Sequence, residues 1–72
     1  MINEKICKKI KLERVKKGFT QEELALRAEI NKNTIWKIET GQVSPNLKTL
    51  EKIANALEIE FQKLMDISKI DM

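Results

Sequence analysis

The sequence predicts an all-α fold, a compact five-helix domain with a helix-turn-helix at its centre, and three observations carry that reading. Apolar residues recur at spacings of three and four, the period of one helical face. Gly18, Gly41 and Pro45 cut the pattern into helix-sized pieces. Between residues 20 and 39, small and apolar side chains fall where two short helices joined by a tight turn must pack.

The first helix is expected over residues 3–17, with Ile6, Ile10 and Cys7 on its apolar seam and Gly18 as a left-handed stop. The second, over 21–28, sets Leu24, Ala25 and Ala28 on one face. Thr20 caps it through its hydroxyl, and Glu23 reaches back to the Thr20 amide, the S/T-x-x-E capping box. Ile30 lies between this group and the next. Asn31 caps the third helix, over 32–40, whose inward residues are Ile35 and Ile38 and which Gly41 stops. The two short helices approach closely, so a small residue must stand at their contact, and Ala25 supplies it.

Residues 41–45 form a loop, since Pro45 biases Ser44 to extended backbone. The fourth helix begins near Asn46 and closes the core with Leu47, Leu50, Ile53, Ala54 and Leu57, leaving Lys48, Thr49, Lys52 and Asn55 outward. Glu58-Ile59-Glu60 breaks that seam. A short fifth helix over 61–66 carries Phe61, Leu64 and Met65. One domain is expected over 1–72, with 66–72 a loose tail.

Ile10, Arg14, the run from Gly18 through Phe19, Thr20, Gln21, Glu22, Glu23 and Leu24 to Ala25, then Ile35, Ile38, Glu39, Gly41, Pro45 and Leu50 stand in the order found in one family. The chain resembles the Cro and phage-repressor type of helix-turn-helix, the XRE family, over residues 10–64. The resemblance implies a lambda-repressor-like DNA-binding fold whose third helix lies in the major groove with its first turn toward base edges. Carried over position by position, base reading falls to Lys32, Asn33 and Lys37, and phosphate holding to Gln21 at the start of the second helix. Arg14 and Glu39 match a partly buried ion pair that ties the first helix to the end of the third.

Two positions depart from the family pattern. Glu29 stands where a glycine is usual, so that turn is either mildly strained, at a cost of roughly 1 kcal/mol, or differently shaped. Glu13 replaces an apolar residue of the first helix, with Leu12 and Val15 as candidate substitutes.

Composition narrows the function. From seventy-two residues neither a sensing module nor a catalytic domain is expected beside this one. Cys7 is the only cysteine and histidine is absent, so an internal disulfide, a zinc site and a histidine-based catalytic dyad are all excluded; no enzyme activity and no cofactor are expected. Without an apolar leader or long apolar run, a cytoplasmic protein is expected. The net charge of +3 is uneven: residues 1–48 carry eleven Lys/Arg against six Asp/Glu, and residues 49–72 three against five. The basic part suits phosphate. Lys5, Lys8, Lys9, Lys16 and Lys17 read equally well as phosphate contacts or as a solvated helix face.

Lys32 reaches guanine O6/N7 and Asn33 adenine N6/N7 in the standard pairings, while Thr34 is sized for a thymine methyl. Lys37, one turn on, reads a base or neutralises a phosphate. Trp36 follows Ile35 and precedes Ile38, so helical geometry turns it from the core toward the groove, for an apolar base or sugar contact or a protein interface. Thr40, Gln42, Ser44, Asn46 and Lys48 surround the start of the fourth helix, and Asn46 and Lys48 are the phosphate candidates among them. A single unit reads too few base pairs for specificity, so a homodimer is expected, with Met65 and Ile67 at its interface and Phe61 in the core. The expected function is a sequence-specific transcription regulator, a repressor on a pseudo-palindromic DNA operator, similar to Cro-like phage repressors or restriction-modification controller proteins. The alternative is a protein-interaction module such as an antitoxin or a repressor partner. No membrane and no small-molecule ligand are expected as partners.

Overall fold

The computed structural model describes residues 2–68, and five helices and no strand occur among them. They are α1 (Ile2–Lys16), α2 (Gln21–Ala28), α3 (Lys32–Glu39), α4 (Leu47–Leu57) and α5 (Phe61–Met65). The expected helices are all present. Four boundaries move: α1 begins one residue earlier, at Ile2, Lys17 lies outside it, Thr40 follows α3 and Asp66 follows α5.

Local chemistry fixes the ends. Thr20 Oγ1 accepts from the Glu23 amide at 3.0 Å while Glu23 Oε1 accepts from the Thr20 amide at 3.0 Å, completing the capping box. Asn31 Oδ1 accepts from the Asn33 amide at 2.7 Å and Asn46 Oδ1 from the Thr49 amide at 2.8 Å, starting α3 and α4. At the other ends, Gly18, Glu29, Gly41 and Glu58 all have positive φ, between 57° and 78°. After each, the next residue's amide reaches back to a carbonyl in the preceding helix, as in Ile30 to Ala25 at 2.9 Å and Ile59 to Ala54 at 3.1 Å. Of the two shapes open for the turn at Glu29, the molecule therefore takes the left-handed one, φ 57° and ψ 45°, and accepts the strain.

One apolar cluster draws on all five helices, with Ile10, Leu24, Ile35, Ile38, Ile53, Leu57 and Leu64 fully buried. Ile6 and Cys7 join it from α1, as their spacing predicts. Burial pushes the Cys7 thiol above its ordinary pKa, which keeps it protonated near neutral pH. Ala25 and Ala28 are buried where α2 packs on α3 and α4.

Three inward assignments are corrected. Leu47, the first residue of α4, is 63% exposed, and the seam begins at Leu50; Ala56 is buried instead. Leu12 and Val15 do not replace Glu13: both are exposed, and Glu13 itself is buried at 5%. The helix keeps the rotation set by Ile6 and Ile10 and neutralises the carboxylate, with Lys9 Nζ and Lys16 Nζ each 3.5 Å from Glu13 Oε2. Thr49, expected to face outward, is half-buried.

The residues after α5 are held locally. Lys9 Nζ donates to the Asp66 carbonyl at 3.2 Å, Ser68 donates to Asp66 Oδ1, and Ile67 packs against the core with Phe61 and Met65. Residues 69–72 of the expected tail lie outside the described residues.

Candidate nucleic-acid interface

The site is built from the start of α2 and the outward face of α3. The capping box consumes the Thr20 and Glu23 amides, and the leading amides of Gln21 and Glu22 have no acceptor within the helix. Their partial positive charge faces outward and suits an oxyanion. Three residues later than Ala28, Asn31 turns the chain into α3, whose inward positions are filled by Ile35 at 0% and Ile38 at 1% exposure. Helical geometry then places Lys32, Asn33, Trp36 and Lys37 on the opposite side, and all four are exposed. Thr34 lies at the flank of that face and is half-buried.

Gln21, Asn31, Lys32, Asn33 and Trp36 line one open recess of roughly 560 Å³. A second, beside it, is lined by Arg14, Thr20, Gln21, Glu22 and Lys32. The first turn of α3 and the start of α2 thus present one continuous surface carrying an ammonium, three amides and an indole. Lys37 stands one turn further along α3, and Asn46 and Lys48 stand exposed at the start of α4; none of the three lines either recess. Met65 and Ile67 belong elsewhere, since α5 packs on α1 and α4.

Beneath this surface runs a network of charge-assisted hydrogen bonds. Arg14 Nε and Nη2 donate to the two carboxylate oxygens of Glu39 at 2.7 and 3.0 Å, and Arg14 Nη1 donates to the Phe19 carbonyl at 2.7 Å. The Glu39 side chain is 2% exposed and that of Arg14 11%, so the pair is structural, as the resemblance implies. Gln21 Nε2 also donates to Glu39 Oε1, at 3.1 Å. That bond fixes the Gln21 side chain against the end of α3 and leaves its carbonyl oxygen and backbone amide for other partners.

Two contacts escape sequence reading. Lys32 Nζ lies 3.6 Å from Glu22 Oε2, both side chains mostly exposed, a pairing worth little in water and readily exchanged for another partner. The Arg27 guanidinium sits 4.4 Å from the Phe19 ring centroid, holding the turn before α2 against its last turn. The signal for the first was an acidic residue in the opening turn of α2; nothing in the spacing marks its partner.

The helix-turn-helix family matches residues 10–64. The chain belongs to the XRE-type helix-turn-helix family. This XRE-type chain is 34% identical over 58 residues to the HTH-type transcriptional regulator SlrR of Bacillus subtilis (strain 168), a match covering 79% of the chain and 38% of SlrR. It is 38% identical over 56 residues to an uncharacterized HTH-type transcriptional regulator of Archaeoglobus fulgidus, covering 78% of the chain and 79% of that protein. The chain therefore spans well under half of SlrR but most of the archaeal relative. Among solved structures, it is similar to the restriction-modification controller protein C.AhdI from Aeromonas hydrophila, with a TM-score of 0.80 at 32% identity, over 83% of the chain and 91% of C.AhdI. The wild-type controller protein C.Esp1396I aligns with a TM-score of 0.85 at 30% identity, over 94% of each chain. The clp gene regulator ClgR from C. glutamicum shares the fold, with a TM-score of 0.89 at 18% identity over 100% of the chain and 96% of ClgR. An XRE-type domain is a DNA-binding module of transcription regulators, and the surface formed by α2 and α3 is where its helix-turn-helix lies. Among the described residues no helix is long and apolar enough to cross a membrane.

Proposed function

We propose that this protein is a sequence-specific transcription repressor of the cytoplasm that occupies a pseudo-palindromic operator as a homodimer. In this reading α3 enters the major groove, with Lys32, Asn33, Trp36 and Lys37 toward base edges and Thr34 at their side, while Gln21, Asn46 and Lys48 hold phosphates on either flank. Met65 and Ile67 meet their counterparts in a second copy. Bound there, the dimer excludes polymerase from the same stretch of duplex.

The observation that carries the reading is the shared recess of Gln21, Asn31, Lys32, Asn33 and Trp36. A phosphate-suited helix start and a base-suited helix face are joined there, and Glu39 ties the two together through Gln21. Size supports the dimer. The helical framework extends 28 × 24 × 22 Å between Cα atoms, and half-sites one helical turn apart lie about 34 Å from centre to centre. Once side chains are added, two copies on adjacent half-sites are close enough to touch. The likeness to controller proteins and HTH-type regulators supports regulation as the outcome of binding.

Selection of bound sites from a random duplex pool at physiological salt tests this directly. An enriched two-fold symmetric site with half-site centres about 10 bp apart is expected. On that site Lys32→Ala is expected to lose about 1–3 kcal/mol and to relax preference at one position. Pool enrichment for no sequence would overturn the reading and favour a protein partner docking on Trp36.

A further inference from the structure

Trp36 keeps 45% of its surface exposed although the inward positions of α3 are already filled by Ile35 and Ile38. The indole is therefore not a core residue displaced outward; it is an apolar surface presented on the reading face. Its neighbours there are specific. Lys32 and Asn33 precede it by four and three residues, on the same side of the helix, and Gln21 and Asn31 complete the recess that all five line. An apolar plate is thus set among an ammonium and three amides.

The major-groove edge of a base pair has the complementary composition. Its donors and acceptors are interrupted by a single kind of apolar group, the C5 methyl of a pyrimidine, which thymine always carries and cytosine carries only when methylated. We propose that Trp36 recognises a C5-methyl pyrimidine, the methyl packing on the indole while Lys32 and Asn33 meet the polar edges beside it. The assignment rests on the placement of α3 in the major groove argued above. It moves methyl contact from Thr34 to Trp36, because Thr34 is half-buried at the flank of the face while Trp36 stands open in the recess.

Removing one methyl group from water is worth about 0.8 kcal/mol, or about fourfold in affinity. The test uses the full chain and its Trp36→Ala and Trp36→Phe variants on the selected operator, with thymines replaced singly by uracil and cytosines singly by 5-methylcytosine. Binding is followed by fluorescence anisotropy at one salt concentration, and circular dichroism checks each variant's fold. The expected result is one thymine per half-site whose replacement by uracil weakens wild-type binding about fourfold, an effect absent in Trp36→Ala and partly kept in Trp36→Phe. A comparable gain at one cytosine on methylation, again lost in Trp36→Ala, supports the proposal with 5-methylcytosine as the source of the methyl. A flat wild-type profile overturns it, as does a uracil effect that persists in Trp36→Ala. If Trp36→Ala is weaker on every duplex with a flat profile in all proteins, only methyl recognition fails; if Trp36→Ala binds every duplex like wild type, the placement of Trp36 against DNA fails with it.

Discussion

Arg14 and Glu39 show how much one pair of side chains fixes. The guanidinium fork meets the carboxylate through two nearly parallel hydrogen bonds, spends a third on the Phe19 carbonyl, and leaves Glu39 to hold Gln21 as well. Truncating one partner strands the other without solvent. Arg14→Ala is expected to lose about 3 kcal/mol, on the order of 15 °C in Tm for a chain of this size, measured by thermal unfolding. Replacing both partners, Arg14→Met with Glu39→Leu, removes the stranded charge and is expected to recover most of that loss. DNA affinity is expected to stay low in the double variant, because Gln21 has lost its anchor. A double variant no more stable than Arg14→Ala would show that the pair's geometry, not the uncompensated charge, dominates. The pair was legible through family resemblance alone: the residues are 25 apart and no periodicity links them. Glu13 was misread for the converse reason, since a carboxylate on a helix seam reads as an error in rotation until Lys9 and Lys16 are seen beside it.

The helices themselves were largely readable, because caps and stops are local chemistry. Thr20 with Glu23, Asn31 and Asn46 start three helices from within the sequence positions that predict them. The stops divide. Gly18 and Gly41 announced themselves, whereas Glu29 and Glu58 hold the same left-handed backbone without a glycine's freedom, and Glu58 read only as a break in an apolar seam. Both glutamates also place a carboxylate at the negative end of a helix, α2 and α4 respectively, so strain and dipole act in the same direction. Glu29→Gly and Glu58→Gly are each expected to raise stability by about 1 kcal/mol, the reverse of what glycine does inside a helix. Glu29→Ala relieves the charge and keeps the strain, so it is expected to fall between. Chemical denaturation of the three variants checks the order, and a Glu29→Gly protein less stable than wild type would mean that the turn carries no strain. Glycine at residue 29 leaves the side chains of the recess untouched, so operator affinity is expected to be unchanged.

Across the whole molecule, what sequence could not supply is long-range. Spacing gave the outward face of α3, but the bond from Lys9 to the Asp66 carbonyl, which joins the segment after α5 to α1, spans 57 residues. That segment matters because the basic residues concentrate in 1–48, where the proposed DNA face lies, and the acidic balance falls in 49–72. In the proposed dimer a second copy approaches through α5, which packs on α1 and α4 away from the recess between α2 and α3, so the two proposed DNA faces stay free. Met65 and Ile67 are half-buried against the core, each with part of its apolar surface still open on this side. Met65→Asp places a carboxylate in that contact, where desolvating it costs more than a surface charge does. The expected outcome is a shift from dimer to monomer in sedimentation, with helical content retained by circular dichroism. Operator binding should weaken and lose its steep dependence on protein concentration, while affinity for random duplex, set by phosphate contacts, stays close to wild type. Ile67→Ser, which introduces no charge, provides a milder second probe of the same contact. A dimer unchanged by both substitutions would move the interface off α5 and leave the assignment of α3 untouched.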